Sequence, residues 1–180
     1  MKITKTDLEG LVVIQPNVFR DSRGYFLESY KKQLLAQNVL HVDFVQDNES
    51  LSQKNVLRGL HFQDPPYAQG KLVRVIKGSV LDVAVDIRKK SPTYGKHVAL
   101  ELTEENKTML YIPPGFAHGF TTMADQTIFS YKCTEVYYKD SEDCILWNDA
   151  ELKIDWKVSN PVLSEKDKNG KRFMDFKSPF

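Results

Sequence analysis

The chain has 180 residues, enough to bury a full hydrophobic core, and we expect one domain over residues 1–180. Its 25 Lys and Arg residues balance its 24 Asp and Glu residues, so net charge favours neither nucleic acid nor a membrane surface as a partner. The longest early apolar run covers only residues 11–14, so we expect neither a signal segment nor a membrane span.

Short segments rich in β-branched and aromatic residues recur along the chain between Gly, Pro, Asn and Asp, a pattern typical of an antiparallel β-sandwich or barrel. In chain order, strands are predicted at residues 11–15, 25–30, 42–51, 71–87, 97–102, 108–112, 116–122 and 127–138, with a helix at residues 31–37. The sequence therefore predicts an all-β fold with few helical residues.

Three segments carry more specific signals. Gly78-Ser79 separates two apolar stretches within residues 71–87 and predicts a hairpin turn. After it, odd positions of 81–88 are apolar while even positions are Asp, Ala, Asp and Arg, which predicts a half-buried strand with one face in the core and a polar face toward solvent. The prolines and glycine of 113–115 predict a sharp break. From residue 160 onward, charge, Pro and Gly favour a loosely packed extension.

His61 is the most informative residue, because an imidazole titrates near pH ~6.5 and can act as a base at neutral pH. Arg58 stands three residues earlier, and strict strand alternation sends the two side chains to opposite faces. A bulge or twist at Gly59 would bring both to one cavity. A hydrogen-bonded structural histidine is the alternative interpretation of His61.

Two further strands present candidate side chains on one face. Tyr131 and Tyr137 share a face of the predicted strand 127–138, where one phenol could donate a proton and the other could stack on a ring; β propensity alone also places tyrosines there. Gln46 and Asn48 share a face with Phe44, and their amides could bind hydroxyls or a base edge, unless the face is simply exposed.

Metal and redox chemistry have little support. Residues 114–118 resemble the second half of the cupin metal motif, with His118 at the ligand position. The first half of that motif begins with His-x-His, but here His61 is followed by Phe62 and Gln63, which leaves too few imidazoles for a typical site. Cys133 and Cys144 form no CxxC pair, which argues against a zinc cluster or a redox dithiol. We therefore expect no catalytic metal and a reducing, cytoplasmic compartment.

Seven short segments, spread in order along nearly the whole chain, together form a recognisable set. They are DSRGYFLE (21–28), RGLHFQ (58–63), AQGKLVRV (68–75), SPTYGK (91–96), PPGFAHGF (113–120), the segment 131–138 and LSEKD (163–167). As a set, they resemble the dTDP-4-dehydrorhamnose 3,5-epimerases. The resemblance implies a cupin-type jelly roll, a homodimer, a dTDP-linked 4-keto-6-deoxyhexose as substrate, and no metal or organic cofactor.

Transferred position by position, the resemblance also implies roles. His61 is the expected proton acceptor, with Asp167 as its carboxylate partner, Tyr131 as proton donor and Lys71 near the keto oxygen of the sugar. Tyr137 is expected to stack on the thymine. The other expected substrate contacts are Arg23, Glu28, Gln46, Asn48, Arg58, His118, Glu142 and Lys166. In this interpretation the C-terminal residues belong to the site.

The expected reaction is epimerisation at carbons 3 and 5 of dTDP-4-dehydro-6-deoxy-D-glucose through enolates, giving dTDP-4-dehydro-L-rhamnose for dTDP-rhamnose biosynthesis. A single-carbon epimerase of a related nucleotide sugar is one alternative, because it could keep the same acid, base and cation. A non-catalytic cupin that binds sugar nucleotides and a metal-dependent cupin isomerase or dioxygenase are the others.

Overall fold

A computed structural model describes residues 1–38 and 42–180 and consists mostly of antiparallel strands. In chain order the strands are β1 (Lys2–Lys5), β2 (Val12–Gln15), β3 (Val18–Asp21), β4 (Gly24–Leu27), β5 (Gln46–Ser52), β6 (Leu57–Gln63), β7 (Lys71–Lys77), β8 (Ser79–Asp86), β9 (His97–Thr103), β10 (Met109–Ile112), β11 (Phe116–Thr122), β12 (Thr127–Cys133) and β13 (Glu142–Cys144). The α-helices are α1 (Lys32–Asn38) and α2 (Glu165–Lys168), and short 3-10 helices cover Lys139–Ser141 and Phe173–Asp175. Within the described residues, no helix is long and apolar enough to cross a bilayer.

Two sheets face each other across a hydrophobic core. The six-stranded sheet has the order β1-β2-β10-β7-β12-β5, and the five-stranded sheet has the order β13-β6-β11-β8-β9. Val73, Val75 and Phe129 of the first sheet pack against Ala84 and Phe120 of the second. The predicted all-β jelly roll is thereby confirmed. A separate hairpin, β3-β4, pairs only with itself among the described strands.

The predicted hairpin at Gly78-Ser79 is wrong. β7 pairs with β10 and β12, whereas β8 pairs with β11 and β9, so the chain passes from one sheet to the other at this turn. Gly78 has φ +81°, and a Cβ there would lie 2.4 Å from Thr127 Oγ1. The local signal indicated a reversal of direction correctly, but it contains no information on which strands pair.

The predicted polar, solvent-facing side of β8 is also wrong. Asp82 and Asp86 are fully buried. Asp82 hydrogen-bonds to His118 in the interior, while Val83 and Val85 on the opposite face pack under the C-terminal residues. Both faces of β8 are therefore covered, one between the two sheets and the other beneath the C-terminal residues.

The C-terminal residues do not form a loosely packed extension. Trp156 and Phe176 are buried and pack against Leu57, Leu60 and Val83 of the five-stranded sheet. Ser164 then begins α2 through a capping box with Asp167. A few widely spaced apolar residues make this packing. The prediction of a loose extension relied on the average composition of the segment, which is polar and does not reveal them.

Strand ends differ from the predicted ones. β12 ends at Cys133 rather than at residue 138, β5 begins at Gln46 rather than at residue 42, and β4 ends at Leu27 rather than at residue 30. The strands β1, β3, β6 and β13 were not predicted. The helix at residues 31–37 and the break at 113–115, between β10 and β11, are confirmed.

Candidate active site

Polar side chains gather at one end of the space between the two sheets. Two cavities of about 270 and 260 Å³ share His61, Lys71, Tyr131 and Glu142, and we call them together the cleft. Most of the predicted site residues line it, namely Gln46, Asn48, Arg58, His61, Lys71, His118, Tyr131, Tyr137, Glu142, Lys166 and Asp167. The cleft thus combines strands of both sheets with α2.

A hydrogen bond of 2.6 Å joins His61 Nε2 on β6 to Asp167 Oδ1 on α2. Asp167 is buried and also accepts hydrogen bonds from the Ser164 hydroxyl at 2.6 Å and the Gly59 amide at 3.2 Å. A carboxylate acceptor assigns the proton to Nε2 of the neutral ring, which leaves the lone pair on Nδ1.

The electrostatics of this pair favour a neutral imidazole. Burial, together with Lys166 and Lys71, holds the pKa of His61 below its usual value, although Asp167 opposes the shift. Burial alone would raise the pKa of Asp167, but the hydrogen bonds from His61 and Ser164 outweigh it and lower the pKa to about 2. At neutral pH, His61 therefore has the protonation state of a base, and Asp167 is ionised.

A β-bulge brings Arg58 and His61 to the same cleft. On β11, His118 lies opposite His61 and Phe120 opposite Arg58, so the register shifts by one residue between them. Gly59 occupies the shift with φ +137°, and a Cβ there would lie 2.4 Å from the Cα of Gly119. Glycine is required by both conformation and close approach, and of the bulge or twist that would bring the two side chains together, the structure shows a bulge.

Tyr131 and Lys71 stand on the opposite wall. They belong to the neighbouring strands β12 and β7 of the six-stranded sheet, whereas His61 belongs to the five-stranded sheet. Lys71 Nζ lies 5.9 Å from the centre of the Tyr131 ring. Burial raises the pKa of Tyr131 and lowers that of Lys71. The phenol and the imidazole therefore face the cleft from different sheets, and the phenol holds its proton at neutral pH.

Glu142 links the two sides of the cleft mouth. Its carboxylate accepts a hydrogen bond of 3.0 Å from the Tyr137 hydroxyl and forms an ion pair of 2.6 Å with Lys166 Nζ. Tyr137 is half exposed and follows β12 in a loop, so the strand alternation from which its position was predicted does not apply. It lines the cleft nevertheless.

Two of the predicted substrate contacts lie away from the cleft. Arg23 and Glu28 sit at the turn and the end of the β3-β4 hairpin, and neither lines either cavity. Arg23 pairs with Asp21 and its side chain is 88% exposed, while Glu28 pairs with Lys31. Within one chain, Arg23 and Glu28 therefore do not line the cleft with the other predicted site residues.

Sequence reasoning missed several cleft residues and their supports. Asp82 is hydrogen-bonded to His118 Nε2 at 2.9 Å. Ser52 accepts two hydrogen bonds from the Arg58 guanidinium, at 3.1 and 3.3 Å. Ser164 was recognisable from the Ser-x-x-Asp spacing of a capping box. The remaining unpredicted lining residues are Glu49, Ser50, Phe62, Gln63, Gln69 and Phe120.

One group resembles a metal site. The ligand atoms of His61, Cys144 and Asp167 lie within 4.8 Å of one another. Both Asp167 oxygens already accept hydrogen bonds, and burial raises the pKa of Cys144 to about 12, so that its thiol stays protonated. The geometry is that of a hydrogen-bonded pair beside an apolar thiol. That the site works without a metal remains a prediction.

The known proteins to which this chain is similar are described as epimerases. The family model described as dTDP-4-dehydrorhamnose 3,5-epimerase matches residues 5–175. The dTDP-4-dehydrorhamnose 3,5-epimerase of Shigella flexneri is 52% identical over 97% of both chains. A crystal structure of the dTDP-6-deoxy-D-glucose-3,5-epimerase of Legionella pneumophila in complex with dTDP-4-keto-L-rhamnose is 44% identical, with a TM-score of 0.94 over 98% of this chain and 94% of that one. A 3′-monoepimerase from Streptomyces bikiniensis in complex with dTDP-quinovose is 28% identical, with a TM-score of 0.89 over 94% and 86%.

Proposed function

The chain belongs to the dTDP-4-dehydrorhamnose 3,5-epimerase family, and on that premise we propose that it inverts carbons 3 and 5 of dTDP-4-dehydro-6-deoxy-D-glucose to give dTDP-4-dehydro-L-rhamnose, for dTDP-rhamnose biosynthesis. The observation that carries the proposal is the placement of a neutral, carboxylate-paired imidazole and a protonated phenol on facing sheets of one cleft. A sugar ring lying between them would meet a base on one face and an acid on the other.

Both reacting carbons neighbour the keto group at carbon 4. Loss of either proton forms an enolate whose charge rests on the same oxygen, so one cation can serve both inversions. We assign this role to Lys71, which lines both cavities beside Tyr131. A positioned ammonium in a site with little water stabilises developing negative charge much better than water does.

Proton transfer is divided between the two walls. His61 takes the proton, and Asp167 orients the ring and stabilises the imidazolium that results. Tyr131 then supplies a proton from the opposite side, which inverts the carbon. The raised pKa of Tyr131 suits this role, because the phenol releases its proton only to a strong base such as an enolate carbon.

We assign binding of the nucleotide to the rest of the cleft. Arg58 can hold a phosphate through its guanidinium, and Tyr137, half exposed at the mouth, offers its ring to the thymine. Gln46 and Asn48 face the same cavity as Tyr137 from β5 and can hydrogen-bond to the base or the sugar. His118, Glu142 and Lys166 complete the substrate contacts.

Deuterium labelling tests this function. After incubation of the purified chain with the substrate in deuterium oxide, we expect deuterium at both carbon 3 and carbon 5, detected by NMR, because each inversion exchanges one carbon-bound proton. Label at carbon 3 alone would favour a single-carbon epimerase, the second candidate, which the likeness to a 3′-monoepimerase supports. Absence of label at both carbons would contradict enolate chemistry altogether.

We also propose a homodimer in which the β3-β4 hairpin of each subunit reaches the cleft of the other. Arg23 and Glu28 are then substrate contacts contributed by the partner, Arg23 to a phosphate, which accounts for their distance from the cleft of their own chain. The exposed hydrophobic rings of Phe19, Tyr25 and Phe26 on this hairpin support burial against a second copy.

Complementation between two inactive variants tests the dimer. Arg23→Ala and His61→Ala chains are coexpressed, and the mixed dimer is isolated with two affinity tags. If Arg23 serves the partner's cleft, each mixed dimer keeps one intact site and should regain about half of the wild-type activity per dimer, since a twofold dimer has two equivalent sites. If Arg23 serves its own cleft, no site is intact and no activity returns. Light scattering that shows a monomer would contradict the dimer directly.

Residues 1–180 are proposed to act as one domain, in the cytoplasm and without a cofactor. The packing of the C-terminal residues on the five-stranded sheet supports a single unit, because α2, which lines the cleft, lies between segments that pack on that sheet. Asp167 on α2 bonds to His61 on β6, so the last quarter of the chain and the sheet share one site.

A further inference from the structure

Four consecutive residues at the cleft mouth are held by glutamine side chains. We call residues 135–138 the stacking segment, because they carry Tyr137. The segment lies outside any strand, and Val136, Tyr137 and Tyr138 are 46%, 51% and 42% exposed. A loop so exposed needs bonds from elsewhere in the protein if it is to hold an aromatic ring at a fixed place.

Gln63, the last residue of β6, makes the most extensive of these contacts. Its Nε2 donates to the carbonyl oxygen of Val136 at 3.1 Å and to that of Tyr67 at 2.7 Å, and its Oε1 accepts from the amide of Tyr138 at 2.8 Å. Gln63 is only 4% exposed, so both donors and the acceptor are committed to main-chain groups inside the protein. The rings of Tyr67 and Tyr138 stack at 4.1 Å.

Two other glutamines hold the rest of the segment. Gln69 Nε2 donates to the carbonyl oxygen of Glu135 at 2.8 Å. Gln46 Oε1 accepts from the amide of Tyr137 at 2.8 Å. Each residue of the stacking segment is thus bonded through its main chain to a glutamine, and the three glutamines come from three different parts of the fold.

We propose that Gln63 is a positioning residue that fixes the location of the Tyr137 ring relative to His61. Gln63 and His61 are two residues apart on β6 and line the same cavity. β6 therefore carries both the base, His61, and the side chain that holds the stacking segment, Gln63. Their spacing on the strand sets the distance between the reacting sugar and the stacked thymine. This inference rests on the proposed function, since it takes Tyr137 as the thymine contact.

If Gln63 acts in this way, nucleotide binding depends on it and the proton transfers do not. Both of its amide hydrogens are used and its oxygen already accepts a hydrogen bond, whereas loss of these bonds releases the segment that carries Tyr137. The variant Gln63→Met retains the length and volume of the side chain but makes none of the three hydrogen bonds. The variant Gln63→Glu can still accept from Tyr138 but cannot donate to the two carbonyl oxygens.

Calorimetric titration with dTDP is the first test. We expect Gln63→Met to raise the Kd for dTDP about 5- to 150-fold, the range that corresponds to loss of one base–aromatic stack. Its kcat at saturating substrate should stay within about threefold of wild type, while KM rises with the Kd, as for a lost interaction that ground state and transition state share. The same change at exposed Gln15 on β2, near the far edge of the six-stranded sheet, is the matched control and should alter neither.

A double-mutant cycle separates positioning from general loss of structure. In a Tyr137→Ala background, Gln63→Met should weaken dTDP binding no further, because Gln63 acts through Tyr137. Additive losses, an unchanged Kd in Gln63→Met, or an equal fall in kcat would each overturn the proposal. Tight dTDP binding by the unchanged chain without deuterium exchange would overturn the proposed function alone, whereas failure to bind dTDP would overturn both.

Discussion

Replacement of His61 by alanine is expected to lower kcat by about 10²- to 10⁴-fold, the usual contribution of a positioned general base. The physical reason is the pairing with Asp167, which keeps Nε2 protonated and leaves Nδ1 as the base. Deuterium exchange at both carbons should fall together with product formation, since one base starts both inversions. Both rates can be followed by NMR in the same sample.

The fold should survive this change, because Asp167 keeps its hydrogen bonds from Ser164 and Gly59. Affinity for dTDP should therefore stay within a few-fold of wild type. A cupin that only binds sugar nucleotides would show no turnover to lose, and an unchanged kcat in His61→Ala would contradict the assigned base. Asp167→Asn, which removes the negative charge that stabilises the imidazolium but keeps the imidazole, should cause a smaller loss.

The pH profile of the unchanged chain follows from the same pair. The base is active when neutral, so kcat/KM should be constant at neutral pH and should fall as the pH drops through the pKa of His61. Because burial lowers that pKa, the acidic limb should lie below the usual value near pH ~6.5. A limb above that value would contradict the direction of the shift.

Local sequence signals predicted the parts of the site that depend on one strand. Alternation placed Gln46 and Asn48 on one face. Gly59 marked the position at which a bulge or twist would bring Arg58 and His61 to one cavity, and the register shows a bulge there. Both inferences use only the geometry of neighbouring residues. The motif resemblance then supplied Lys71, Glu142, Lys166 and Asp167, which the structure gathers in the same cleft.

Features that depend on distant contacts were not predictable in this way. Gly78 indicated a turn, but whether β7 and β8 pair depends on strands far along the chain. Asp82 looked like a solvent-facing residue because its partner, His118, lies on another strand. The positions of Arg23 and Glu28 are harder still, because their site, as we propose, belongs to a second copy of the chain.

Replacement of Tyr131 by phenylalanine should separate exchange from inversion. The change removes only the hydroxyl, so the ring that remains can keep its packing against Phe129. His61 can still remove a proton and, in deuterium oxide, return a deuteron to the same face. We therefore expect exchange into the substrate at carbon 3 or 5 to continue, while the formation of inverted product falls by about 10²-fold or more, the usual contribution of a general acid.

The ratio of exchange to inversion is the decisive quantity, because it depends on which face the returning proton comes from. Wild-type chain should give label and inversion together, and Tyr131→Phe should give label with retained configuration. Lys71→Met is the matched comparison, since loss of the cation destabilises the enolate itself and should reduce exchange and inversion in parallel. Equal loss of both rates in Tyr131→Phe would contradict the assignment of the phenol as the acid on the opposite face, and inversion at the wild-type rate would exclude it as a proton donor.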